Sequence, residues 1–259
     1  SVGLQGIRLA KPTFGETFIV SGLGIIGILT CQILRNNGCN VIALEPNLDR
    51  CKLAKEFKID AYCLKNDIDA VGFLMEVTNG RGVDGAIITA LTKSNEPINL
   101  AAKACRKRGR IILVGVTGLE IRRDLFYAKE LSFQVSCSYG PGRYDKLYEQ
   151  DSIDYPFGYV RWTENRNFEA ILNSMSKGDL SVKKLISHKF MFENSIEAFN
   201  LLSSKKSSLG ILLEYEHKDH SIQNTITLDN YSTKNKINHG RPSIGIIGAG
   251  NYTKTFLLP

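Results

Sequence analysis

The chain has 259 residues, of which 43% are hydrophobic and 23% charged, a composition typical of a globular protein. This length allows one or two domains with a sizeable core. The net charge of +7 raises the question of nucleic acid. The basic residues are scattered, however, and the densest cluster, residues 106–110, has no interleaved aromatic residues, so a nucleic-acid-binding surface is disfavoured.

The six cysteines show neither a CxxC pair nor a regular spacing, which argues against a zinc knuckle and against a disulfide framework. Several lie inside apolar runs and are predicted to be buried free thiols in a reducing cytoplasm. No secretory signal is found at the N-terminus. The sequence does not begin with Met, and we expect it to be a fragment of a longer protein.

The most distinctive stretch joins a strand, a glycine turn and a helix, after a short helix predicted within residues 1–12. A β-branched and aromatic run over residues 18–20 predicts a buried strand. An apolar segment over residues 25–34 predicts a three-turn helix that ends at Asn37 and Gly38 in a left-handed cap. Between strand and helix stand three glycines with the spacing GxGxxG, namely Gly22, Gly24 and Gly27.

This turn has the features of a dinucleotide-binding site. Gly22 permits the tight turn, Gly24 lets the backbone approach a pyrophosphate, and Gly27 lets helix and strand pack closely. The start of the helix offers unpaired N–H groups and a positive dipole end to phosphate. The predicted cofactor contacts in the turn are Gly22, Leu23, Gly24, Ile25, Ile26 and Gly27.

A second predicted strand, over residues 41–44, ends on an acid. Glu45 lies about 20 residues after the glycines, where a carboxylate accepts hydrogen bonds from the adenosine ribose hydroxyls. Two other interpretations of this stretch are open. One is a unit that keeps the fold without the ligand. The other is a transmembrane helix over residues 18–34, which is disfavoured because the run is shorter than about 20 residues and is interrupted by glycines and polar residues.

Strands continue to alternate with helices along the chain. This pattern predicts βαβ units and the fold class α/β, a doubly wound parallel sheet of the Rossmann type. Asn47 is predicted to cap the helix after the second strand, and Asp67 the helix after the third. Further helices are predicted over residues 48–57, 68–75 and 96–107, and strands over residues 61–64, 84–89, 110–114 and 131–137.

Residues 139–162 break this alternation. They are rich in Gly, Pro, Tyr and Asp without a sustained period, and an irregular segment of this length in a compact domain is usually functional or disordered. The aromatic residues argue against disorder. Regular elements resume with helices over residues 164–177 and 194–203 and strands over residues 187–192 and 209–215.

Four segments are therefore predicted. Residues 1–140 form a dinucleotide-binding domain, and residues 141–215 hold the irregular Tyr/Gly-rich segment with the returning helices and strands. Residues 216–242 are polar and low in apolar residues, which predicts a linker. Residues 243–259 predict the opening strand and glycine turn of a second Rossmann unit.

Residues 1–215 resemble the cofactor half of the zinc-type medium-chain dehydrogenases, which include alcohol and polyol dehydrogenases. The motifs that carry the resemblance are SGLGIIG, the acid Glu45 followed by Arg50, GVDGAIITA, RGRIILVG, ISHKF, SIEAFNLL and LGILLEY. Residues 243–259 resemble the opening of a Gfo/Idh/MocA-type sugar oxidoreductase, with Thr253 in place of the third glycine. Together with YGPGRYD and YVRWTENRN, the combination is similar to bacterial two-module oxidoreductases associated with surface polysaccharide synthesis.

The resemblance implies further cofactor contacts. Arg50 corresponds to the basic residue that contacts the adenosine ribose, and the alternative is a solvated helix charge. The ends of three later strands correspond to positions beside the cofactor, with ordinary turn geometry as the alternative. These are Thr89, Ala90 and Leu91 flanking the adenine half, and Gly115, Val116, Ser138 and Tyr139 around the nicotinamide.

No catalytic residue and no metal ligand are predicted. His188 lies in a strand-like run and is interpreted as structural. Tyr144, Asp145, Tyr155 and Arg161 form a candidate substrate or interface loop, but no spacing identifies a catalytic pair. The sequence lacks the GroES-like domain of the resembled family and most of the second oxidoreductase. We therefore expect the isolated chain to bind cofactor without useful turnover and to self-associate through the edges of its last strands or through residues 243–259.

These observations predict the NAD(H)-binding part of a cytoplasmic, NAD-dependent oxidoreductase that transfers hydride to or from a sugar- or alcohol-type substrate. The alternative is a non-catalytic dinucleotide-binding or structural module. The expected partner is a small-molecule sugar or alcohol, and a homo-oligomer is left open. Neither nucleic acid nor a membrane is expected as a partner.

Overall fold

The computed structural model describes residues 1–64, 69–204, 208–216 and 245–258. The chain divides into two units, Ser1–Tyr215 and Glu216–Pro259, at the position where the linker is predicted to begin. Residues 217–242 of that linker lie outside the described residues.

A six-stranded parallel sheet forms the centre of the first unit. Its strands are β1 (Thr17–Ser21), β2 (Asn40–Glu45), β3 (Asp60–Cys63), β4 (Val83–Ile88), β5 (Cys105–Leu113) and β6 (Ser132–Val135). The strand order is β3-β2-β1-β4-β5-β6, and every neighbouring pair is parallel. The predicted fold class, an α/β doubly wound parallel sheet, is thereby confirmed.

The central strand β1 is buried on both faces of the sheet. Phe18 and Val20 pack in one hydrophobic cluster with Ile28, whereas Ile19 packs in the other with Ile98. Successive side chains of a strand point to opposite faces, and a parallel sheet is covered by helices on both sides. The continuous apolar run in β1 follows from this arrangement.

Helices connect the strands and cover the sheet. They are α1 (Val2–Ala10), α2 (Ile25–Asn36), α3 (Leu48–Glu56), α4 (Ala70–Val77), α5 (Glu96–Ala104) and α6 (Arg123–Lys129). The predicted left-handed end of α2 is confirmed. Gly38 has φ +80°, its N–H donates to the Arg35 carbonyl at 2.8 Å, and the Cys39 N–H donates to the Leu34 carbonyl at 3.1 Å, which is a Schellman cap.

One predicted boundary is wrong, and a second falls partly outside the described residues. Helix α5 ends at Ala104 rather than at residue 107, because Cys105 has extended backbone angles and opens β5. A register shift between β4 and β5 accommodates the additional residues at the start of β5. Helix α4 begins at Ala70, and its N-cap is Asp69, whose side chain accepts a hydrogen bond from the Gly72 N–H. The predicted cap, Asp67, lies outside the described residues.

The basic cluster at the start of β5 is used in ion pairs within the fold. Arg106 Nε lies 2.6 Å from Asp84 Oδ1, Arg108 Nε lies 2.7 Å from Glu130 Oε2, and Arg110 Nη2 lies 2.6 Å from Glu16 Oε2. Arg106 also lies 3.9 Å from Glu16. Acids thus neutralise the three arginines locally.

The rest of the first unit packs against this domain. It contains α7 (Lys146–Glu149), α8 (Glu164–Ser176), β7 (Ile186–Met191), α9 (Ser195–Ser203) and β8 (Gly210–Glu214). Strands β7 and β8 pair in parallel as a separate two-stranded sheet. Gln32 on α2 exchanges two hydrogen bonds with the backbone of Ser181, and Arg8 on α1 donates to Asn167 on α8. Residues 141–215 are therefore part of the same compact unit.

The described residues 245–258 contain a π-helical turn, Thr253–Leu257. Residues 245–247 are not in a strand, so the predicted opening strand is wrong for these three residues, and Ser243 lies outside the described part of the chain. A parallel strand needs a neighbour to accept its hydrogen bonds, and the described residues of this segment supply none. Across the described residues, no helix combines the length and apolarity needed to cross a bilayer.

Candidate cofactor site

The predicted site segments share one edge of the main sheet. The strands are parallel, so their carboxyl ends meet at that edge, and the chain order reverses direction between β1 and β4. Open α/β sheets bind ligands at this switch point. The glycine turn follows β1, and the run that begins with Thr89 follows β4.

The three glycines of the turn have different surroundings. Gly22 has φ +100°, and a Cβ there would lie 2.8 Å from the Ala90 amide nitrogen. A Cβ on Gly27 would lie 1.9 Å from the Gly22 carbonyl oxygen. At Gly24 a Cβ would meet nothing within 4 Å, and the backbone there is extended, with φ −68°. Gly22 and Gly27 are therefore required by the fold, while Gly24 borders open space at the start of α2.

Glu45 holds the glycine turn from the end of β2. Its Oε2 accepts a hydrogen bond from the Leu23 N–H at 2.6 Å, and its Oε1 accepts one from the Asn47 N–H at 2.9 Å. Only 4% of Glu45 is exposed. Sequence reasoning placed this carboxylate at the ribose and missed its bond to the turn, because the partner is a backbone group 22 residues away.

The other predicted residues of the turn divide into two groups. The Leu23 side chain is fully buried in the core, and its N–H is bonded to Glu45, so Leu23 supports the turn from inside. Ile25 and Ile26, at the start of α2, are 39% and 37% exposed. Their backbone N–H groups belong to the first turn of the helix, where donors have no intrahelical partner.

Arg50 lies in the first turn of α3. The Asn47 side chain caps this helix, as predicted, by accepting hydrogen bonds from the Asp49 and Arg50 N–H groups at 2.9 and 3.2 Å. The Arg50 Nε is buried and has no hydrogen-bond partner among the described residues. Buried donors are almost always paired, so this guanidinium fits the binding of a ligand that supplies an acceptor.

Thr89 ties the end of β4 to the glycine turn. Its hydroxyl donates to the Gly22 carbonyl at 2.8 Å and contacts the Ser21 carbonyl at 3.2 Å. A Cβ on Gly115 would lie 2.2 Å from the Ala90 carbonyl oxygen, so the loops after β4 and β5 touch. The structure thus brings Gly22, Thr89, Ala90 and Gly115 together at one point.

Two apolar side chains stand exposed beside this point. Leu91 and Val116 form an isolated parallel bridge, and they are 85% and 63% exposed. Large aliphatic side chains are usually buried, and an apolar ledge next to the glycine turn fits the face of a flat ring.

The end of β6 lies at the same edge of the sheet as this ledge, next to the end of β5. Ser138 is half-buried with φ +44°, and Tyr139 is buried with its hydroxyl donating to Glu149 Oε1 at 2.5 Å. Arg143 donates to the same oxygen at 2.6 Å. Burial, together with the hydrogen bond to the Glu149 carboxylate, raises the pKa of Tyr139 to about 12. The predicted position of Ser138 and Tyr139 beside the nicotinamide stays a prediction.

Other candidate features lie away from this edge. A cleft of about 720 Å³ lies at the opposite edge, beside the strand starts at Thr17, Asn40 and Asp60, where parallel sheets do not normally bind ligands. His188 lies in β7, and its ring contacts Ser187 and Phe190.

The central part of the chain is similar to one family of known proteins. Residues 26–150 match the zinc-binding dehydrogenases. This match supports the predicted cofactor-binding half of a medium-chain dehydrogenase. The assignment of residues 243–259 to a Gfo/Idh/MocA-type unit stays a prediction.

The chain is also similar to individual dehydrogenases. It is 26% identical over 213 residues to L-threonine 3-dehydrogenase of Thermococcus kodakarensis, covering 81% of this chain and 54% of that protein. It superimposes on the structure of 2R,3R-butanediol dehydrogenase from Bacillus subtilis with a TM-score of 0.65 and 24% identity, over 82% of this chain and 55% of that one. The chain thus spans about half the length of the relatives that it matches.

Two solved structures with the same fold are complexes with a nicotinamide cofactor. A short chain alcohol dehydrogenase from Escherichia coli is complexed with NADH, with a TM-score of 0.62, 24% identity and coverage of 82% of this chain and 56% of that one. A zinc-binding dehydrogenase from Sinorhizobium meliloti is bound to NADP, with a TM-score of 0.62, 19% identity and the same coverage. These likenesses establish the fold.

The matched family is that of the zinc-binding dehydrogenases. The residues that the structure describes do not form a zinc site, however. Nowhere in residues 1–64, 69–204, 208–216 or 245–258 do three or more His, Cys, Asp or Glu side chains form a group able to hold a metal ion. The residues at the sheet edge fit a dinucleotide instead, since within the described part of the chain Gly24 borders open space and the Arg50 Nε has no hydrogen-bond partner.

Proposed function

We propose that this chain binds NAD(H) at the carboxyl edge of its main sheet and serves hydride transfer to or from a sugar- or alcohol-type substrate. The observation that carries the proposal is the contrast within the glycine turn. Gly22 and Gly27 are enclosed by backbone, whereas Gly24 borders open space at the N-terminus of α2. A turn shaped in this way admits a pyrophosphate at Gly24 and keeps its own shape at the other two glycines.

The residues around the turn each have a role in this proposal. The free N–H groups at the start of α2 receive the pyrophosphate. Arg50, whose Nε has no hydrogen-bond partner among the described residues, is assigned to the adenosine ribose. On the apolar ledge, Leu91 is assigned to the adenine half of the cofactor and Val116 to the nicotinamide half, as the resemblance implies. The nicotinamide carries the hydride when bound, and the protein contributes position and electrostatics.

The preference for NAD(H) over NADP(H) rests on Glu45. Its carboxylate is held rigidly by two backbone amides, and each oxygen still has a lone pair for a ribose hydroxyl. A 2′-phosphate would add negative charge beside this partly desolvated carboxylate, and like charges repel. Arg50 acts in the opposite direction, because an arginine accommodates a 2′-phosphate. We propose that the fixed charge of Glu45 prevails.

The substrate class is supported by the relatives, which are named for L-threonine and 2R,3R-butanediol, both small molecules that carry hydroxyl groups. The two-module resemblance of the sequence adds surface polysaccharide synthesis as the proposed setting. A cytoplasmic location is supported by the six cysteines, all of which are free thiols, since disulfides form in oxidising compartments.

Two measurements test the proposal. Titration with NADH and NADPH, followed by nicotinamide fluorescence, is expected to show saturable binding that is tighter for NADH. Incubation with deuterated NADH and candidate alcohols or their carbonyl products then reports whether hydride moves stereospecifically. The hydride measurement should be made on the full-length protein. If that protein binds NADH saturably but exchanges no hydride, the alternative of a non-catalytic dinucleotide-binding module is favoured. Absence of NADH binding would overturn the proposal.

A further inference from the structure

A second cleft opens within the irregular segment that follows β6, separate from the glycine turn. We call it the tyrosine cleft. It has a volume of about 430 Å³, which lies within the range of small-molecule sites. The lining residues that matter here are Tyr139, Tyr148, Glu149, Asp154, Glu164 and Asn165.

The cleft continues from the proposed nicotinamide end of the site. Tyr139 lies four residues after the end of β6, whose carboxyl end is at the cofactor edge of the sheet. The chain is held there against α1, because a Cβ on Gly140 would lie 2.4 Å from the side chain of Gln5. A ligand in the cleft is therefore bound by the stretch of chain that leaves the cofactor edge.

The walls of the cleft are fixed by hydrogen bonds. Glu149 Oε1 accepts from the Tyr139 hydroxyl and from Arg143. On the other side, Arg166 donates to Asp154 Oδ2 at 2.8 Å. The Tyr148 ring stacks on Tyr155 with ring centroids 5.8 Å apart, and the Tyr155 hydroxyl donates to Asp145. These contacts give the segment around the short helix α7 a defined surface.

Several polar groups of the cleft remain available. The half-buried Glu164 carboxylate has no hydrogen bond or ion pair with any residue that the structure describes, and neither does the side-chain amide of the exposed Asn165. The Glu149 carboxylate, in contrast, is already engaged by the Tyr139 hydroxyl, by Arg143 and by the Tyr144 backbone. The cleft thus offers a ligand the Glu164 carboxylate and the Asn165 amide, between walls that contain tyrosine rings.

The charge of the cleft selects the class of ligand. Three carboxylates line it, and the nearby arginines, Arg143 and Arg166, are each engaged by one of them. An anionic ligand would meet the charge of Glu164, which interacts electrostatically with the Ser1 ammonium but forms no ion pair with any described residue. Hydroxyl groups, in contrast, donate to carboxylates and accept from an amide, and the C–H face of a sugar ring packs on an aromatic ring.

We propose that the tyrosine cleft binds an uncharged polyhydroxylated molecule, a sugar or polyol, next to the nicotinamide end of the cofactor site. Its role as the substrate site rests on the proposed dehydrogenase function. Binding of the sugar does not require the cofactor, so the two proposals are tested separately.

The probes are sorbitol, D-glucose, D-glucosamine and D-glucuronate, added to the full chain without cofactor. Saturation-transfer NMR reports binding, and the fluorescence of Trp162, the single tryptophan, gives a second readout two residues from Glu164. Sorbitol or D-glucose is expected to bind, and Glu164→Gln should weaken binding at least about fivefold, because a charged acceptor is replaced by a weaker neutral one. The matched control is Glu169→Gln, an exposed carboxylate farther along the same helix.

The outcomes separate the alternatives. Absence of saturation transfer with both uncharged probes would overturn the proposal, and so would equal weakening by Glu164→Gln and Glu169→Gln. Tighter binding of D-glucosamine than of D-glucose would show that the cleft takes an ammonium group instead. NADH titration of the same samples reports on the glycine turn independently, so loss of NADH binding with sugar binding retained would count against the cofactor proposal alone.

Discussion

The carboxylate of Glu45 and the backbone amide of Leu23 form a short hydrogen bond of 2.6 Å that joins the end of β2 to the glycine turn after β1. The other carboxylate oxygen accepts the Asn47 N–H. Glu45 is nearly inaccessible to water, so these amides provide the solvation that a buried charge needs. One side chain therefore shapes the turn and also sets the charge beside the proposed ribose site.

Glu45→Gln tests both roles of this residue. We expect the wild-type chain to prefer NADH over NADPH by at least about tenfold, or 1.4 kcal/mol, and the variant to lose most of that preference because the fixed charge is gone. The glutamine side chain has one acceptor oxygen and one NH2 group, so it can accept only one of the two backbone N–H groups that Glu45 accepts. The other N–H is left without its acceptor, and the free energy of unfolding should fall by about 1–3 kcal/mol. Fluorescence titration and urea unfolding measure the two effects.

Asp49→Asn is the control for Glu45→Gln. Asp49 lies in the first turn of α3, and its side chain is 88% exposed. The variant therefore removes a nearby negative charge without touching the glycine turn. Neither the cofactor ratio nor the unfolding free energy should change appreciably. Equal wild-type affinities for NADH and NADPH would show that Glu45 does not select the cofactor.

Gly24→Val and Gly27→Ala should separate binding from folding. A valine at position 24 meets no neighbour and suits the extended backbone there, so the melting temperature should stay near the wild-type value while NADH binding is lost. An alanine at position 27 would lie 1.9 Å from the Gly22 carbonyl oxygen, and overpacking of this kind costs roughly 1–3 kcal/mol. Calorimetry and NADH titration of both variants give the comparison. Normal binding by Gly24→Val would place the cofactor elsewhere.

Thr89→Val should loosen the glycine turn without changing the volume of the side chain. The substitution leaves the Gly22 carbonyl without the hydroxyl that donates to it at 2.8 Å. A net loss of about 1 kcal/mol of stability is expected, with NADH affinity reduced several-fold because the turn is less ordered. Thr89→Ser keeps the hydroxyl and should restore most of both. Identical NADH affinities for the valine and serine variants would limit Thr89 to a purely structural role.

The sequence predicted those parts of the site that depend on local pattern. The apolar run of β1, the spacing of Gly22, Gly24 and Gly27, and the acid at the end of β2 are each visible within a few residues. The bonds from Glu45 to Leu23 and from Thr89 to Gly22 are not, because each joins segments that meet only after the sheet has formed.

The boundary between α5 and β5 shows the same limit. Residues 104–107 read Ala, Cys, Arg and Lys, and arginine and lysine favour helices. Pairing of Cys105 with Val83 nevertheless starts the strand there, since tertiary contacts override weak local preference. The hydrogen bonds of the tyrosine cleft follow no helical or strand period. The bond between Tyr139 and Glu149, for example, joins residues ten positions apart. Such bonds could not be predicted from the sequence.

The buried thiols should make the free energy of unfolding depend on pH. Burial raises the pKa of the Cys105 thiol to about 12 and, together with a hydrogen bond to Cys63, that of Cys51 to about 12. Unfolded thiols ionise near pH 8.5. Above that pH the unfolded chain releases protons that the folded chain keeps, so the stabilisation is complete below about pH 8.5 and is lost as pH rises toward 12. Each thiol should lower the unfolding free energy by about 1.4 kcal/mol per pH unit in this range.

Cys105→Ala and Cys137→Ala isolate this effect. Cys105 is buried at the start of β5, whereas Cys137 is exposed. The free energy of unfolding is measured with urea at several values between about pH 8 and pH 10.5. It should decline with pH less steeply in Cys105→Ala than in the wild type, because one thiol fewer releases a proton on unfolding. The alanine leaves a small cavity that lowers stability at every pH, but that cost does not alter the slope. Cys137→Ala should keep the wild-type slope. An unchanged slope in Cys105→Ala would mean that this thiol does not resist ionisation in the folded chain.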